Sequence, residues 1–321
     1  MEQKIAVTVI VVNYNSGHFL RECIQSLLRQ SLRPKQILIV DNCSSDNSLD
    51  EIEETQQVKI LRESQNLGFA EANNKAMILS ETEFVALLNP DAVASADWLE
   101  QLVAGISIHP NAASFGSKQF LLNKPNTIDG VGDFYHVSGY LGRMGHNRPA
   151  HSIKMKSDIF SACGCAVLFR KDIFIAAGGF DRDFFCYIED IDLGFRLRLL
   201  GYSAILVEDA VVYHAGSATT GGHRSDFSVY YGHRNLVWTF IKNMPGILFW
   251  GLLPLHIVLN LGSILYLLLQ GKGRAIIQAK IDAILGIPKM WRKRQQIQSK
   301  RRVSTKDIWK CLDKSFALKR K

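Results

Sequence analysis

The sequence predicts an α/β fold, a mostly parallel sheet flanked by helices, followed by a C-terminal membrane-associating helical segment. Three observations predict it. Over the first 215 residues, short β-branched apolar runs alternate with stretches of helical periodicity, the order of a parallel sheet whose crossovers are helices. The strand-like runs are apolar throughout, as strands buried on both faces are. From Gly246 to Gly271 no charged residue occurs, and that length meets the threshold for a membrane helix.

The elements follow in order. Val7–Val12 is a strand buried on both faces, and His18–Arg29 has helical spacing. Gln36–Val40 is the next buried strand and ends at Asp41. Asp46-Asn47-Ser48 opens a short helix as an N-cap. Val58–Leu61 is a strand and Phe69–Leu79 a helix. Phe84–Leu88 is a strand ending at Asn89-Pro90-Asp91, and Asp97–Ile108 is a helix stopped by Pro110. Residues 123–157 are richer in Gly, Asn, His and Pro with little periodicity, and read as a long loop or loop hairpin. Phe160–Phe169 returns to strand character. Lys171–Ala177 is a short helix ended by Gly178-Gly179. Ile188–Leu200 is a helix ended by Gly201, and Ala204–Tyr213 is a strand. Residues 1–240 form one domain; 241–321 hold the apolar helices and a basic tail.

Composition narrows the class. With 321 residues and 47% apolar content, the chain can bury a sizeable core and is not disordered. Of six cysteines the one close pair is Cys163-x-Cys165, which argues against a disulfide framework or structural zinc and fits a reducing compartment. The chain opens directly on the run Ile5–Val12, without room for a signal peptide, so the N-terminal part is expected in the cytosol. The net charge of +8 is uneven: Lys272–Lys321 carries sixteen Lys/Arg against three Asp, a net of +13, leaving −5 for residues 1–271. A basic tail reads as a solvated arm, a nucleic-acid arm or a contact for anionic lipid. The uncharged run before it, then a helix-like Ala275–Trp291 ending in Trp291-Arg292-Lys293-Arg294, favours lipid over nucleic acid. A single crossing would separate body and tail, although both prefer the cytoplasm. The segment is therefore expected to lie in the interface, or to dip in and return with Pro254 as the bend. That makes the protein monotopic or peripheral, on the cytoplasmic face of the membrane.

Three strand ends carry acceptor-rich residues: Asn13-Tyr14-Asn15, Asp41-Asn42 and Asn89-Pro90-Asp91. Ligands of open parallel sheets bind there, and one shared ligand explains three such ends. No GxGxxG follows the first strand and no GxxxxGK[ST] occurs, which excludes a dinucleotide dehydrogenase and a P-loop NTPase. Asp91, on a turn after a buried strand, suits a hard divalent cation; taken alone, an Asx turn explains it better. A second cluster holds five acids between Asp181 and Asp192. Glu189 and Asp190 stand where a helix begins, where the dipole favours ionised carboxylates, so one can act as a general base. His214, after a β-run and beside Gly216, can set an imidazole on a metal; without support, a half-buried structural histidine is the commoner case.

Seven segments in register resemble glycosyltransferase family 2, of the branch similar to bacterial rhamnosyltransferases: VIVVNYNS at 9–16, IVDNCSSDNS at 39–48, NLGFAEANN at 66–74, LLNPDA at 87–92, GGFD at 178–181, EDIDLGFRLRLLGY at 189–202 and VVYHAGSA at 211–218. The resemblance covers about residues 7–240 and implies the GT-A fold, a nucleotide-diphosphate sugar donor and Mg²⁺ or Mn²⁺. It implies that Asn13 and Asn15 line the nucleotide pocket, that Asp41 meets the base, and that Asn66 and Asn73 support the nucleoside. Asn89-x-Asp91 matches the family's D-x-D element, with Asp91 as metal ligand and Asn in place of the first aspartate. Asp190 matches the catalytic base, with Glu189 beside it for acceptor positioning. His214 matches a residue completing the metal site, and Gly164 the small residue flooring the acceptor site. One base and no carboxylate nucleophile imply inversion. The implied function is transfer of L-rhamnose or another hexose, with dTDP-L-rhamnose a candidate donor, to a lipid-linked saccharide in cell-surface polysaccharide synthesis. The alternatives are a catalytically silent sugar-nucleotide-binding scaffold, against which the presence of both Asp91 and Asp190 counts, and a nucleotidyltransferase, which would want a basic Gly-rich loop where Ser16-Gly17-His18 stands.

Overall fold

The computed structural model describes residues 5–216 and 225–315. Ser217 and Ala218 of the last motif, and tail residues 316–321, lie outside the described residues.

Strand β1 (Val7–Asn13) is buried almost throughout, which its unbroken β-branched sequence requires. It pairs in parallel with β2 (Gln36–Asp41), a register that sets Asn13 level with Asp41. β2 carries β3 (Val58–Arg62) on its other side, and β1 carries β4 (Phe84–Leu88), both parallel. Helix α1 (Phe19–Leu28) packs Leu20, Ile24 and Leu27 on one sheet face, with Trp98, Leu99 and Leu102 of α3 (Trp98–Ile108). Helix α2 (Gly68–Leu79) packs Ala72, Ala76 and Met77 on the other. The result is a three-layer α/β/α domain.

Beyond β4 the sheet is mixed. β5 (Ala92–Ala94), β6 (Ala112–Leu121) and β7 (Lys124–Gly130) follow in the chain. So do β8 (Asp133–Tyr135), β9 (Leu141–Arg143), β10 (Arg148–Pro149) and β11 (Asp158–Ile159), so the expected loop of 123–157 is a set of short strands. β12 (Ala166–Arg170) lies antiparallel between β4 and β6. It is shorter than the expected Phe160–Phe169 strand, because residues 161–164 leave the sheet: Ser161 Oγ–H donates to Asp190 O and Gly164 N–H to the Asp190 carboxylate. After α4 (Lys171–Ala176) and α5 (Glu189–Leu199), β13 (Ser203–His214) runs parallel to β6 and antiparallel to β5. The short helix expected at 46–48 does not form. Asp46 instead accepts from Gly17 N–H and the Ser48 N–H, closing a turn.

Helices α6 (Asp226–Asn243), α7 (Gly246–Leu269), α8 (Gly273–Leu285), α9 (Ile287–Ser299) and α10 (Thr305–Cys311) complete the chain. They share a core with the sheet domain through Tyr135, Phe160, Phe195, Trp238, Phe240, Phe249, Met290 and Ile308. The helix expected over 275–291 breaks at Gly286, where a Cβ would meet the Trp238 ring at 2.6 Å. α7 runs as one helix through Pro254, which stands on its exposed side, so Pro254 is not a bend. Its polar interruptions all turn inward. The His256 Nδ1–H donates to Ser138 O at 2.9 Å, and Asn260 Oδ1 accepts from Lys280 Nζ at 2.6 Å. Its outer side is bare hydrocarbon, with Trp250 63%, Leu261 61% and Leu269 77% exposed.

The basic tail is not a free arm as far as residue 315. Lys289 pairs with Asp183 at 2.6 Å, and Lys293 pairs with Asp181 and Asp183. Arg294 donates to Ile241 O and Met244 O. Part of its charge is spent on holding α9 to the domain.

Candidate active site

The strand ends build one polar floor. Asn13 is fully buried, and its amide donates to Asp41 Oδ1 at 3.0 Å, Ser44 Oγ at 3.1 Å and Ser48 Oγ at 2.9 Å. Its Oδ1 accepts from Ser16 Oγ–H. Asn13 therefore ties two strand ends to the 44–48 turn. Asn15, with φ at 49°, accepts from the Ser45 and Asp46 N–H groups. Asp41 is held by Asn13 and by Ser44 N–H. Asn66 Oδ1 accepts from Asn42 Nδ2 at 2.9 Å and from Gly68 N–H at 2.8 Å, shaping the turn into α2. Asn73 is buried inside α2, and its amide donates to Phe69 O, four residues back.

Asp91, on the turn between β4 and β5, and His214, at the end of β13, come together. His214 Nε2 stands 3.2 Å from Asp91 Oδ1, and both side chains are buried. The Nδ1–H donates to Asp129 Oδ2 at 2.8 Å. Asp129 is fully buried and also receives Arg143 Nη1 at 2.6 Å. Against the cost of burial, hydrogen bonds from His146 and His214, with the Arg143 charge, hold Asp129 far below the ordinary carboxylate range. An ionised Asp129 fixes the His214 tautomer and leaves Nε2 to face Asp91. A carboxylate and an imidazole backed by a second carboxylate form a donor pair that fits Mg²⁺ or Mn²⁺. Asn89 is half-buried on the same turn; its N–H donates to Cys165 O and its carbonyl accepts from Ala92 N–H.

Asp190 and Gly164 also meet. Gly164 N–H donates to Asp190 Oδ2 at 2.9 Å, and Ile191 N–H to Oδ1 at 2.8 Å. A Cβ on Gly164 would stand 3.5 Å from Asp190 Cβ and 3.3 Å from the Phe69 ring. Asp190 is half-buried, whereas Glu189 beside it is buried. Burial, then the charge of Asp190, raises the Glu189 pKa well above the ordinary range. The helix dipole is thus outweighed at Glu189, which holds its proton. The remaining acids of the cluster are structural: Asp192 binds Arg196, Lys242 and Asn243, and Asp181 binds Lys242 and Lys293.

Two acids escaped the sequence reading. Asp129 backs His214, and Asp133 lies beside Asp190. Asp133 Oδ2 is buried without a hydrogen-bond partner. Ligand atoms of Asp133, Cys163 and Asp190 lie within 4.8 Å of one another. Burial, then Asp190, raises Asp133 well above the carboxylate range. Of these carboxyl groups, Asp190 is the one left half-open, and Asp133 and Glu189 offer protons beside it. The only local signal was the Ile128-Asp129-Gly130 and Gly132-Asp133 turn chemistry inside an aperiodic stretch.

Comparison with known proteins identifies the family and the fold. Residues 8–177 match the family model described as glycosyl transferase family 2. The chain is 26% identical over 261 residues to an N-acetylglucosaminyl-diphospho-decaprenol L-rhamnosyltransferase of Mycobacterium tuberculosis, covering 73% of this chain and 83% of that protein. It is 26% identical over 238 residues to the uncharacterized protein y4gI of Sinorhizobium fredii, covering 69% of this chain but 26% of that longer protein. Among solved structures it resembles the mannosyltransferase PcManGT from Pyrobaculum calidifontis in complex with GDP-Man and Mn²⁺. That match has a TM-score of 0.56 and 17% identity, over 96% of this chain and 88% of that one, and speaks to the fold.

Proposed function

The chain belongs to glycosyl transferase family 2, and from that premise we propose that it is an inverting, metal-dependent enzyme. It moves a hexose, L-rhamnose first among them, from a nucleoside diphosphate to a lipid-linked saccharide in cell-surface polysaccharide synthesis. The observation that carries this reading is the pairing of Asp190 with Gly164: a half-open carboxylate aimed by two backbone N–H groups, beside a residue with no side chain. In this reading Gly164 floors the acceptor site, where a Cβ would press on the Phe69 ring at 3.3 Å and stand 3.5 Å from Asp190 Cβ. Asp190 takes the proton of the attacking hydroxyl. Burial raises the pKa of the neighbouring Glu189 and Asp133, which favours the half-open Asp190 as the base. With one carboxylate available, a single displacement follows, and inversion with it. Asp91 and His214 would hold Mg²⁺ or Mn²⁺, with Asp129 fixing the imidazole. The bound cation would offset the negative charge of the departing diphosphate. Asn15, Asp41 and Asn66 stand on the strand-end floor, where a nucleotide would bind, with Asn13 bracing it from below.

The acceptor class is supported by the relative that acts on a diphospho-decaprenol and by the apolar outer side of α7. We read residues 1–240 as the transferase domain and 241–321 as its membrane attachment, on the cytoplasmic face. α7 contacts the domain at Phe249 and His256 and packs Ile264 and Leu267 against Val229, so contact runs along its length. A spanning helix would carry the Ser138 loop into the bilayer; a helix lying in the interface would not.

The test is a donor screen. Purified protein, Mn²⁺ and a membrane lipid extract are incubated with single sugar nucleotides, and nucleoside diphosphate release is measured. One donor, dTDP-L-rhamnose the first tried, should give release that needs the extract. Release from no donor, or release indifferent to the extract, would refute the reading.

A further inference from the structure

The turn that delivers Asp190 has an unusual backbone. Phe185, Tyr187 and Ile188 hold φ at 64°, 68° and 72°. Left-handed backbone is rare for bulky residues and most of all for a β-branched one. It persists only where the surroundings over-determine it, and it concentrates at functional sites.

The surroundings here come from α6. Asn235 is fully buried, and its Nδ2 donates to the carbonyls of Phe184 at 3.0 Å, Cys186 at 3.0 Å and Tyr187 at 2.8 Å. Arg234 adds Nη2 to Asp183 O at 2.9 Å and Phe184 O at 3.1 Å. Arg234 Nε also donates to Asn235 Oδ1 at 3.0 Å, which turns the amide so that its hydrogens face the turn. The guanidinium is itself fixed over Trp238 at 4.2 Å and Tyr231 at 4.8 Å. On its far side the turn meets the donor floor. Phe185 O accepts from Ala70 N–H at 3.1 Å, and the Phe185 ring fills the space at Gly68, where a Cβ would stand 2.5 Å away. Gly68 in turn is bonded to Asn66.

We propose that Arg234 and Asn235 are positioning residues for the transfer: they hold the 183–188 turn so that Asp190 stands at a fixed place relative to the nucleotide-side turn of α2. Neither residue touches the reacting atoms. Their effect passes through Asp190, so the proposal rests on that residue being the base.

The test uses the full chain with Mn²⁺, membrane lipid extract and the donor selected by the release screen. Asn235→Ala should lower kcat by about 10²-fold, the loss expected from misplacing a reacting group by an ångström. The KM for the donor should stay within about twofold. Asn235→Ser keeps one donor in the same space and should fall between; it carries the test if the alanine variant does not fold. Asn235→Ala added to Asp190→Asn should cost nothing further, since two residues acting through one group are not additive. A serine or alanine variant at wild-type kcat beside an inactive Asp190→Asn would overturn the clamp alone. So would a loss that multiplies with Asp190→Asn, or one confined to donor KM. An Asp190→Asn variant that retains turnover would instead remove the base reading on which the clamp rests.

Discussion

Gly164 donates its N–H to Asp190 Oδ2 at 2.9 Å, from a segment that has left the sheet to do so. Residue 164 has no side chain to cover the carboxylate it orients, and a methyl group there would press on the Phe69 ring at 3.3 Å. The contact joins the proposed base, the proposed acceptor floor and the first turn of α2.

Asp190→Asn should lose turnover by roughly 10²–10⁴-fold, the usual contribution of a general base. Donor and metal binding should persist, because the shape is nearly kept. Turnover within about tenfold of wild type would be too small a loss for a base.

Asp91→Ala should weaken donor binding in Mn²⁺ and make little difference in EDTA. His214→Ala should do the same to a smaller degree, an imidazole being the weaker partner for a hard cation. Asp129→Asn, which touches His214 and not the cation, should weaken metal affinity by about 10–100-fold. Calorimetry with each variant measures this. Donor binding by the unmodified protein that ignores EDTA would rule out the metal site for all three.

Lys242→Ala should destabilise the fold, by less than the roughly 3–5 kcal/mol of a wholly unpaired buried charge, since Lys293 still pairs with Asp181 and Arg196 with Asp192. Asp181 also sets a pH dependence. Although burial opposes it, Lys242 and Lys293 hold its pKa below the ordinary value. The stability this gives is present above about pH 4, the unfolded value, and is lost as pH falls through the depressed one. Urea unfolding across pH should show wild type weakening on acidification and Lys242→Ala following a flatter curve. Equal slopes would count against the pair.

Leu261→Asp with Leu265→Asp, both on the exposed side of α7, should release the protein from anionic vesicles in a flotation assay and leave its melting temperature unchanged. These substitutions are cleaner than truncation after Met244, which would strip Trp238 and Met244 of their partners on α8 and α9. For topology, single cysteines at Glu2 and Ser315, in a background without the native six, should both be protected from an impermeant thiol reagent in intact cells. Labelling at Ser315 alone would mean that α7 crosses.

Much of this was legible in the sequence, and the limits have physical causes. β1, β2 and β4 are unbroken apolar runs, so their ends, and the polar floor on them, could be read directly. The roles expected of Asp91, His214, Asp190 and Gly164 came from the family resemblance, and not from periodicity or spacing. β6 could not be read directly, because its inward positions include Ser114, Gly116 and Ser117, buried without being apolar. Asp129 and Asp133 sit in hairpin strands β7 and β8, whose sequences show no apolar alternation to mark them. The tail was read by its charge and by the uncharged run before it. Sequence cannot tell a lysine awaiting lipid from Lys293, which reaches Asp181 across the fold.

The most direct test of the central claim is the anomeric configuration of the product. With the active donor and purified lipid acceptor, the linkage formed would be assigned by NMR. Transfer by Asp190 in a single displacement predicts a configuration inverted relative to the donor. A product that retains the donor's configuration would contradict the account, since a single in-line displacement inverts the anomeric carbon.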